Sequence, residues 1–362
     1  MYLAVLGRQS EISVAEIEAV YGRAELVSPN LAVFEADITP DINRLGGTLK
    51  IAEKLDKRPL DYLSTLPTTG KITFGLSDYT KSAQIRTINQ EAMKLKKILL
   101  RHGRSVRVVP STEPVLSSAT SLHNGLGGRN PRKCEFIKFG DDWYKVIGIQ
   151  DVDAYSKRDQ ARPARDAKVG MLPPKLAQIL INLCGRLELG MTVLDAFCGT
   201  GVVLQEALIM GYRAYGTDIS ERMIEYSEKN LKYFGFSNYK LEKGDATSFK
   251  WTQPIDAVVG EGYLGKPMSQ IPTDMELKEQ VQICREIMVE FLKNLGRQVK
   301  VGTPVVIAMP AWLRPDGKYY RLEIIDEIED MGYNVNNKTR EGLLYHRDGQ
   351  IVARDIIILR KK

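Results

Sequence analysis

The chain is most constrained by the stretch Thr192-Val193-Leu194-Asp195-Ala196-Phe197-Cys198-Gly199-Thr200-Gly201. A short apolar run ends in an acid, a loop with two glycines follows, and residues 202–208 read as a helix. This is the pattern of a strand, a tight turn and a helix N-terminus in a nucleotide-binding α/β unit. The glycines let backbone approach a ligand where a Cβ would collide. Residues 213–219 read as the next strand, which carries Asp218 at its end. That acid follows Asp195 at close to the roughly 20-residue spacing at which a carboxylate meets ribose hydroxyls.

The charge at the turn separates two kinds of ligand. A pyrophosphate seeks helix-terminal N–H groups and no carboxylate beside them. Asp195, at the strand end, repels such a group and suits the ammonium and sulfonium of S-adenosylmethionine. That cofactor is therefore expected, and a methyltransferase is expected over a dehydrogenase or a P-loop enzyme.

At 362 residues the chain has room for two or three domains. No run of about 18 apolar residues occurs, so no membrane span is expected. Residues 1–7 lack a basic leader and read as a first strand. Cys134, Cys184, Cys198 and Cys284 are spaced as neither a zinc site nor a disulfide framework. No metal is expected, and a reducing cytoplasm is the simplest setting. Lys and Arg number 51 against 45 Asp and Glu, a net +6 that permits a polyanionic partner.

Residues 2–6 and 31–36 read as strands, and residues 13–21 as a helix with a capping box between Ser13 and Glu16. Residues 44–55 read as a second helix. Residues 72–77 begin another unit as a strand. In the helix expected over 88–102, Ile88, Ala92, Leu95 and Leu99 share one face, with Lys94, Lys97 and Arg101 opposite and Arg104 beyond. Such charges commonly mark a solvated face; the functional alternative is a nucleic-acid contact. A polar-capped helix over 116–126 and a hairpin of 134–139 with 143–150 follow. Residues 151–169, dense in both charges, read as a solvated linker or hinge. A helix opens at Pro173-Pro174. Strands then end at Asp195, Asp218 and Gly244-Asp245, followed by strands at 256–259, 304–309, 333–335 and 351–359, a long helix over 275–295 and a hairpin turn at 346–350.

Three blocks carry a resemblance: Asp151-Val152-Asp153-Ala154-Tyr155-Ser156-Lys157-Arg158-Asp159, Arg162-Pro163-Ala164-Arg165-Asp166, and Gly170-Met171-Leu172-Pro173-Pro174-Lys175-Leu176-Ala177. Together they resemble the linker and catalytic-domain start of THUMP-containing tRNA guanine-N2 methyltransferases, the enzymes that modify guanosine 10 of tRNA. The cofactor loop from Asp195 to Gly201 is similar too, as are Asp218-Ile219-Ser220 and Gly244-Asp245-Ala246. The likeness covers almost the whole chain and is strongest over 150–267. It implies an α/β fold: a class I Rossmann-like methyltransferase domain at 171–362, after N-terminal α+β domains, ferredoxin-like at 1–55 and THUMP at 56–152, with a linker at 153–170. It implies a tRNA partner gripped by the THUMP half, which gives Lys94, Lys97, Arg101 and Arg104 weight as an RNA surface; a monomer is allowed. It also implies cofactor contacts from Asp195, Phe197, Gly199, Gly201, Asp218, Ile219, Asp245, Ala246 and Pro173. In these, Asp195 orients the methionine end, Asp218 the ribose and Asp245 the adenine amine.

One block departs from the family, which carries Asp-Pro-Pro-Tyr or Asn-Pro-Pro-Tyr after the fourth strand. Here the residues are Gly260-Glu261-Gly262-Tyr263-Leu264-Gly265. Alignment on Gly265 puts Glu261 at the acid, Gly262 and Tyr263 at the prolines and Leu264 at the aromatic. A one-residue slip puts Gly260 at the acid and Tyr263 at the aromatic. Glu261 is expected to accept hydrogen bonds from the reacting amine and Tyr263 to stack on the base, with Gly262 between them. The expected activity is S-adenosylmethionine-dependent N2-methylation of a tRNA guanosine. The alternatives are a homologue that binds tRNA and cofactor without turnover, and an amino-methyltransferase of another base.

Overall fold

The structure is a computed structural model and describes residues 1–165, 171–337 and 343–362. Residues 166–170, part of the expected linker and of the Arg162 and Gly170 blocks, lie outside the described residues. The chain forms two compact units, Met1–Ala154 and Tyr155–Lys362.

The first unit contains strands β1 (Tyr2–Leu6), β2 (Ala24–Ser28), β3 (Leu31–Phe34), β4 (Thr48–Leu55), β5 (Ile72–Asp78), β6 (Val106–Val108), β7 (Lys133–Phe139) and β8 (Asp142–Ile149). They form one sheet in the order β2-β3-β1-β4-β8-β7-β5-β6. Its helices are α1 (Ser10–Tyr21), α2 (Pro59–Thr65), α3 (Ile85–Arg101) and α4 (Ser118–His123). Ile17 and Val20 of α1 pack on Ala4 and Leu6. Leu3 and Val5, which alternate with them along β1, join a separate cluster on the other face. The stripe Ile88, Ala92, Leu95 and Leu99 docks α3 on Phe74 and Phe136.

Two local expectations fail here. Residues 44–55 are not a helix. A short 3-10 turn, Ile42–Arg44, leads into strand β4, which pairs antiparallel with β8 from Lys50↔Ile149 to Leu55↔Trp143. Gly46-Gly47 breaks any helix at that point, and the apolar positions satisfy a strand period as well as a helical one. Nor do Ser13 and Glu16 form a capping box. The helix starts a turn earlier, and both side chains hold the Gly46-Gly47 loop instead. The Ser13 hydroxyl donates to the Gly47 carbonyl at 3.0 Å, while Glu16 accepts the Gly46 and Gly47 N–H groups, each at 2.8 Å.

A buried ion pair crosses this sheet. Lys50 of β4 meets Glu135 of β7 at 2.7 Å, with side chains 1 % and 0 % exposed. Ser77 and Ser121 donate to the same carboxylate, and Lys50 also donates to the Leu116 carbonyl.

The second unit contains helices α5 (Val152–Gln160, shared with the end of the first unit), α6 (Pro174–Leu183), α7 (Val202–Ile209), α8 (Glu221–Tyr233), α9 (Asp274–Gly296) and α10 (Ile325–Asp330). Its strands are β9 (Thr192–Asp195), β10 (Arg213–Asp218), β11 (Tyr239–Lys243), β12 (Ala257–Glu261), β13 (Pro304–Leu313), β14 (Tyr319–Arg321), β15 (Tyr333–Val335), β16 (Leu344–Tyr345) and β17 (Val352–Lys361). The sheet order is β11-β10-β9-β12-β13-β17-β15, with β14 beside β13 and β16 beside β17. Strands β9 to β13 are parallel, and β17 runs antiparallel to both neighbours. This is the expected Rossmann-like methyltransferase sheet. The expected solvated linker is partly ordered: α5 occupies it, and Tyr155, Arg162 and Ala164 are buried. Arg158 of that stretch has a buried partner, Glu206, at 3.0 Å.

Candidate active site

Strands β9, β10 and β11 step outward in one direction, and β12 then returns to the other side of β9. In open parallel sheets, ligands bind outside the carboxyl ends of the strands at such a reversal. Asp195 ends β9 and Glu261 ends β12, so the reversal is flanked by two carboxylates.

Asp195 is 2 % exposed and accepts the Phe197 N–H at 3.1 Å. Burial pushes its carboxyl well above the usual carboxylate range; the Phe197 N–H opposes this, and the charges of Asp218 and Glu261 add to it. Gly199 and Gly201 take left-handed backbone, with φ of +50° and +82°. The Gly199 N–H donates to Asp218 Oδ2 at 2.9 Å, and the Ser220 N–H donates to Oδ1 at 2.9 Å. Burial also raises the Asp218 carboxyl, against those two donors. Ile219, immediately after it, is 67 % exposed and offers an apolar surface at the strand end.

Three residues fasten this turn: Ser227 and Asn230, which sequence reasoning missed, and Arg162, which heads a block of the resemblance with no role read for it. Ser227 of α8 donates to the Gly199 carbonyl at 2.8 Å. Asn230 of α8 donates to the carbonyls of Thr200 at 2.9 Å and Ala164 at 3.0 Å. Arg162 donates to the Thr200 hydroxyl at 3.3 Å. The signal was a polar pair, Ser227 and Asn230, on the buried side of an amphipathic helix.

Asp245 lies just past β11, exposed, and accepts the N–H and hydroxyl of Thr247 at 2.9 and 2.7 Å. Ala246 beside it is buried. Phe197 packs edge-on against Phe291 of α9, centroids 5.0 Å apart. Pro173 caps α6, its carbonyl accepting the Ala177 N–H at 3.0 Å.

Around Glu261 the backbone is tightly packed. A Cβ at Gly260 would lie 2.5 Å from Asp195 Oδ1, and one at Gly262 would lie 2.6 Å from the Met288 terminal methyl. The Gly262 N–H donates to the Ala308 carbonyl at 3.0 Å. Tyr263 is 40 % exposed. Glu261 forms an ion pair through Oε1 with Nε of Arg354 on β17, a residue no motif singled out. Its trace in the sequence is the adjacent pair Arg354-Asp355 ahead of the apolar run 356–359 in the same strand. Burial raises the Glu261 carboxyl, and Arg354 pulls it back down.

The residues fit a cationic ligand better than an anionic one. Asp195 and Asp218 are both raised by burial beside a glycine turn, so a positive group there regains the charge interaction that burial removed. Asp195, Gly199, Gly201 and Asp218 would hold such a cofactor. Among the described residues no His, Cys, Asp and Glu group is arranged to hold a metal ion, and no helix is long and apolar enough to cross a membrane.

In the first unit, Lys94, Lys97 and Arg101 are exposed on α3, opposite its buried stripe. Arg104 is a correction: it is 6 % exposed and donates to the Pro67 carbonyl at 3.0 Å, so it cannot belong to the same surface. The chain turns after α3 and directs this side chain inward.

Residues 187–323 match a family described as a methyltransferase domain, and residues 81–229 match one described as DNA methylase. Over 157 residues the chain is 32% identical to a tRNA (guanine(10)-N2)-dimethyltransferase of Methanothermobacter thermautotrophicus, covering 43% of this chain and 44% of that one. Over 139 residues it is 40% identical to a probable tRNA (guanine(10)-N2)-dimethyltransferase of Methanothermococcus thermolithotrophicus, covering 37% of this chain and 78% of that one. The chain thus spans less than half the length of the Methanothermobacter relative. The crystal structure of TrmN from Thermus thermophilus matches 100% of this chain and 99% of its own, with a TM-score of 0.50 and 17% identity. That likeness concerns the fold.

Proposed function

Since the chain belongs to the tRNA (guanine(10)-N2)-dimethyltransferase family, we propose that it is an S-adenosylmethionine-dependent RNA methyltransferase acting on the N2 amine of a tRNA guanosine, guanosine 10 by family resemblance. The observation that carries this reading is the set of carboxylates Asp195, Asp218 and Glu261 gathered around the glycine turn at the sheet reversal. When bound, S-adenosylmethionine supplies an electrophilic methyl on a positively charged sulfur. The chain supplies position and charge. Asp195 faces the methionine end, Asp218 the ribose and Asp245 the adenine amine, with Ile219, Phe197, Ala246 and Pro173 as walls.

The guanine amine is a weak nucleophile, because its lone pair is delocalised into the ring. Glu261, accepting one of its N–H groups, steadies the positive charge that develops on nitrogen at attack. Tyr263 stacks on the extruded base. The first unit, read as ferredoxin-like and THUMP domains, grips the tRNA, with Lys94, Lys97 and Arg101 contacting phosphates. A cytoplasmic setting goes with this reading.

The match to a DNA methylase family favours a second reading, methylation of an amine on another base. Incubation with isotopically labelled cofactor and either unmodified tRNA or duplex DNA, followed by mass spectrometry of the nucleosides, tests both. Label in N2-methylated guanosine of tRNA is the expected result. Label in methylated DNA bases alone would replace it with the second reading.

A further inference from the structure

We propose that Arg354 is the positioning residue that holds Glu261 in its acceptor orientation, and that a glutamate stands at this position because Arg354 does. The proposal rests on reading Glu261 as the acceptor of the substrate amine.

The strand order carries the inference. β12 and β17 both pair with β13, one on each side. Glu261 lies opposite Ala308 on β13, and Arg354 lies opposite Pro310, two positions further along. The two side chains therefore reach toward each other across an intervening strand, a gap of about 10 Å between backbones. A glutamate and an arginine together span that distance. An aspartate, shorter by one methylene, would hold the contact less closely.

At the end of β12 the ion pair with Arg354 fixes the direction of the Glu261 side chain. Arg354 is 4 % exposed, so its guanidinium is held within the protein, whereas the Glu261 side chain keeps 16 % exposure. The pair uses Oε1, and the acceptor role falls to Oε2.

Among the described residues, the charged groups that act with Glu261 are Arg354 of β17, which favours its carboxylate, and Asp195 of β9, whose own carboxyl the Glu261 charge raises. From α9 the packing is by Met288, and the Cys284 thiol near Gly265 is pushed up to about 12 by burial and stays neutral. Loss of Arg354 thus leaves a buried carboxyl without its counter-charge, so ionisation requires higher pH. An un-ionised Glu261 cannot serve as a pure acceptor.

The test compares Arg354→Met, Arg354→Lys, Glu261→Asp and Glu261→Ala by kcat, KM for cofactor and for tRNA, and pH–rate profile. Cofactor binding by calorimetry establishes that each variant is folded. Arg354→Met is expected to lower kcat at least about tenfold, with KM for the cofactor little changed. Its acid limb should move to higher pH. Glu261→Asp should show the same displaced limb, and Arg354→Lys should restore part of the loss. Arg354→Met with an unchanged limb and kcat, alongside inactive Glu261→Ala, would overturn the role of Arg354 and leave the acceptor reading standing. Full activity in Glu261→Ala would overturn the acceptor reading itself.

Discussion

Gly260 lies so close to Asp195 that a Cβ there would sit 2.5 Å from the carboxylate oxygen. Glycine at 260 is therefore a condition for the position of Asp195, one strand away. Gly260→Ala should displace the acid and weaken cofactor binding by about 10–100-fold, the equivalent of about 1.4–2.8 kcal/mol. Calorimetric titration checks this. Gly262→Ala, whose one close contact is the terminal methyl of the flexible Met288 side chain, should cost less.

Cofactor affinity should depend on pH through Asp195. Its carboxyl is raised by burial, so the folded protein without ligand binds a proton there that the unfolded chain has already lost. This disfavours the folded state increasingly as pH rises from the ordinary aspartate value through the raised one. A cationic ligand reverses the shift. Binding should therefore release a proton at acid pH, and affinity should climb as pH rises until Asp195 is ionised. Titration in buffers of different ionisation heat measures the released proton, and Asp195→Asn should reduce the release.

The Lys50–Glu135 pair should make the first unit sensitive to the loss of either member. Removing one member leaves the other charge buried and uncompensated. Lys50→Met should cost about 3–5 kcal/mol by urea unfolding of the intact chain. Adding Glu135→Leu should recover part of this, with Ser77 and Ser121 still lacking their acceptor.

Reversing charge at Lys94, Lys97 and Arg101 together should weaken tRNA binding and flatten its dependence on salt, because fewer counterions are released. Arg104→Glu should act differently: it places a charge in a buried position and should lower stability. Filter binding across salt concentrations, with thermal unfolding alongside, separates the two effects.

The glycine turn was legible in the sequence because left-handed backbone at Gly199 and Gly201 leaves few residue choices, whereas the close approach of Gly260 to Asp195 depends on the pairing of two strands distant in sequence. The stripe of α3 was legible because a single helix face sets it. Strand β4 was misread because its apolar positions serve either period, and Ser13 and Glu16 were misread because their true partners are some thirty residues away. Arg354 was invisible for a related reason. Its partner follows from the order β12-β13-β17, and no local pattern encodes which strands become neighbours.

The most direct measurement is calorimetric titration of the intact protein and of Asp195→Asn with S-adenosylmethionine and, separately, with NAD. The carboxylates at the turn require that the sulfonium cofactor binds the intact protein, that Asp195→Asn binds it at least about tenfold more weakly, and that NAD binds neither. Saturable binding of NAD at the turn, with no heat from S-adenosylmethionine, would contradict them.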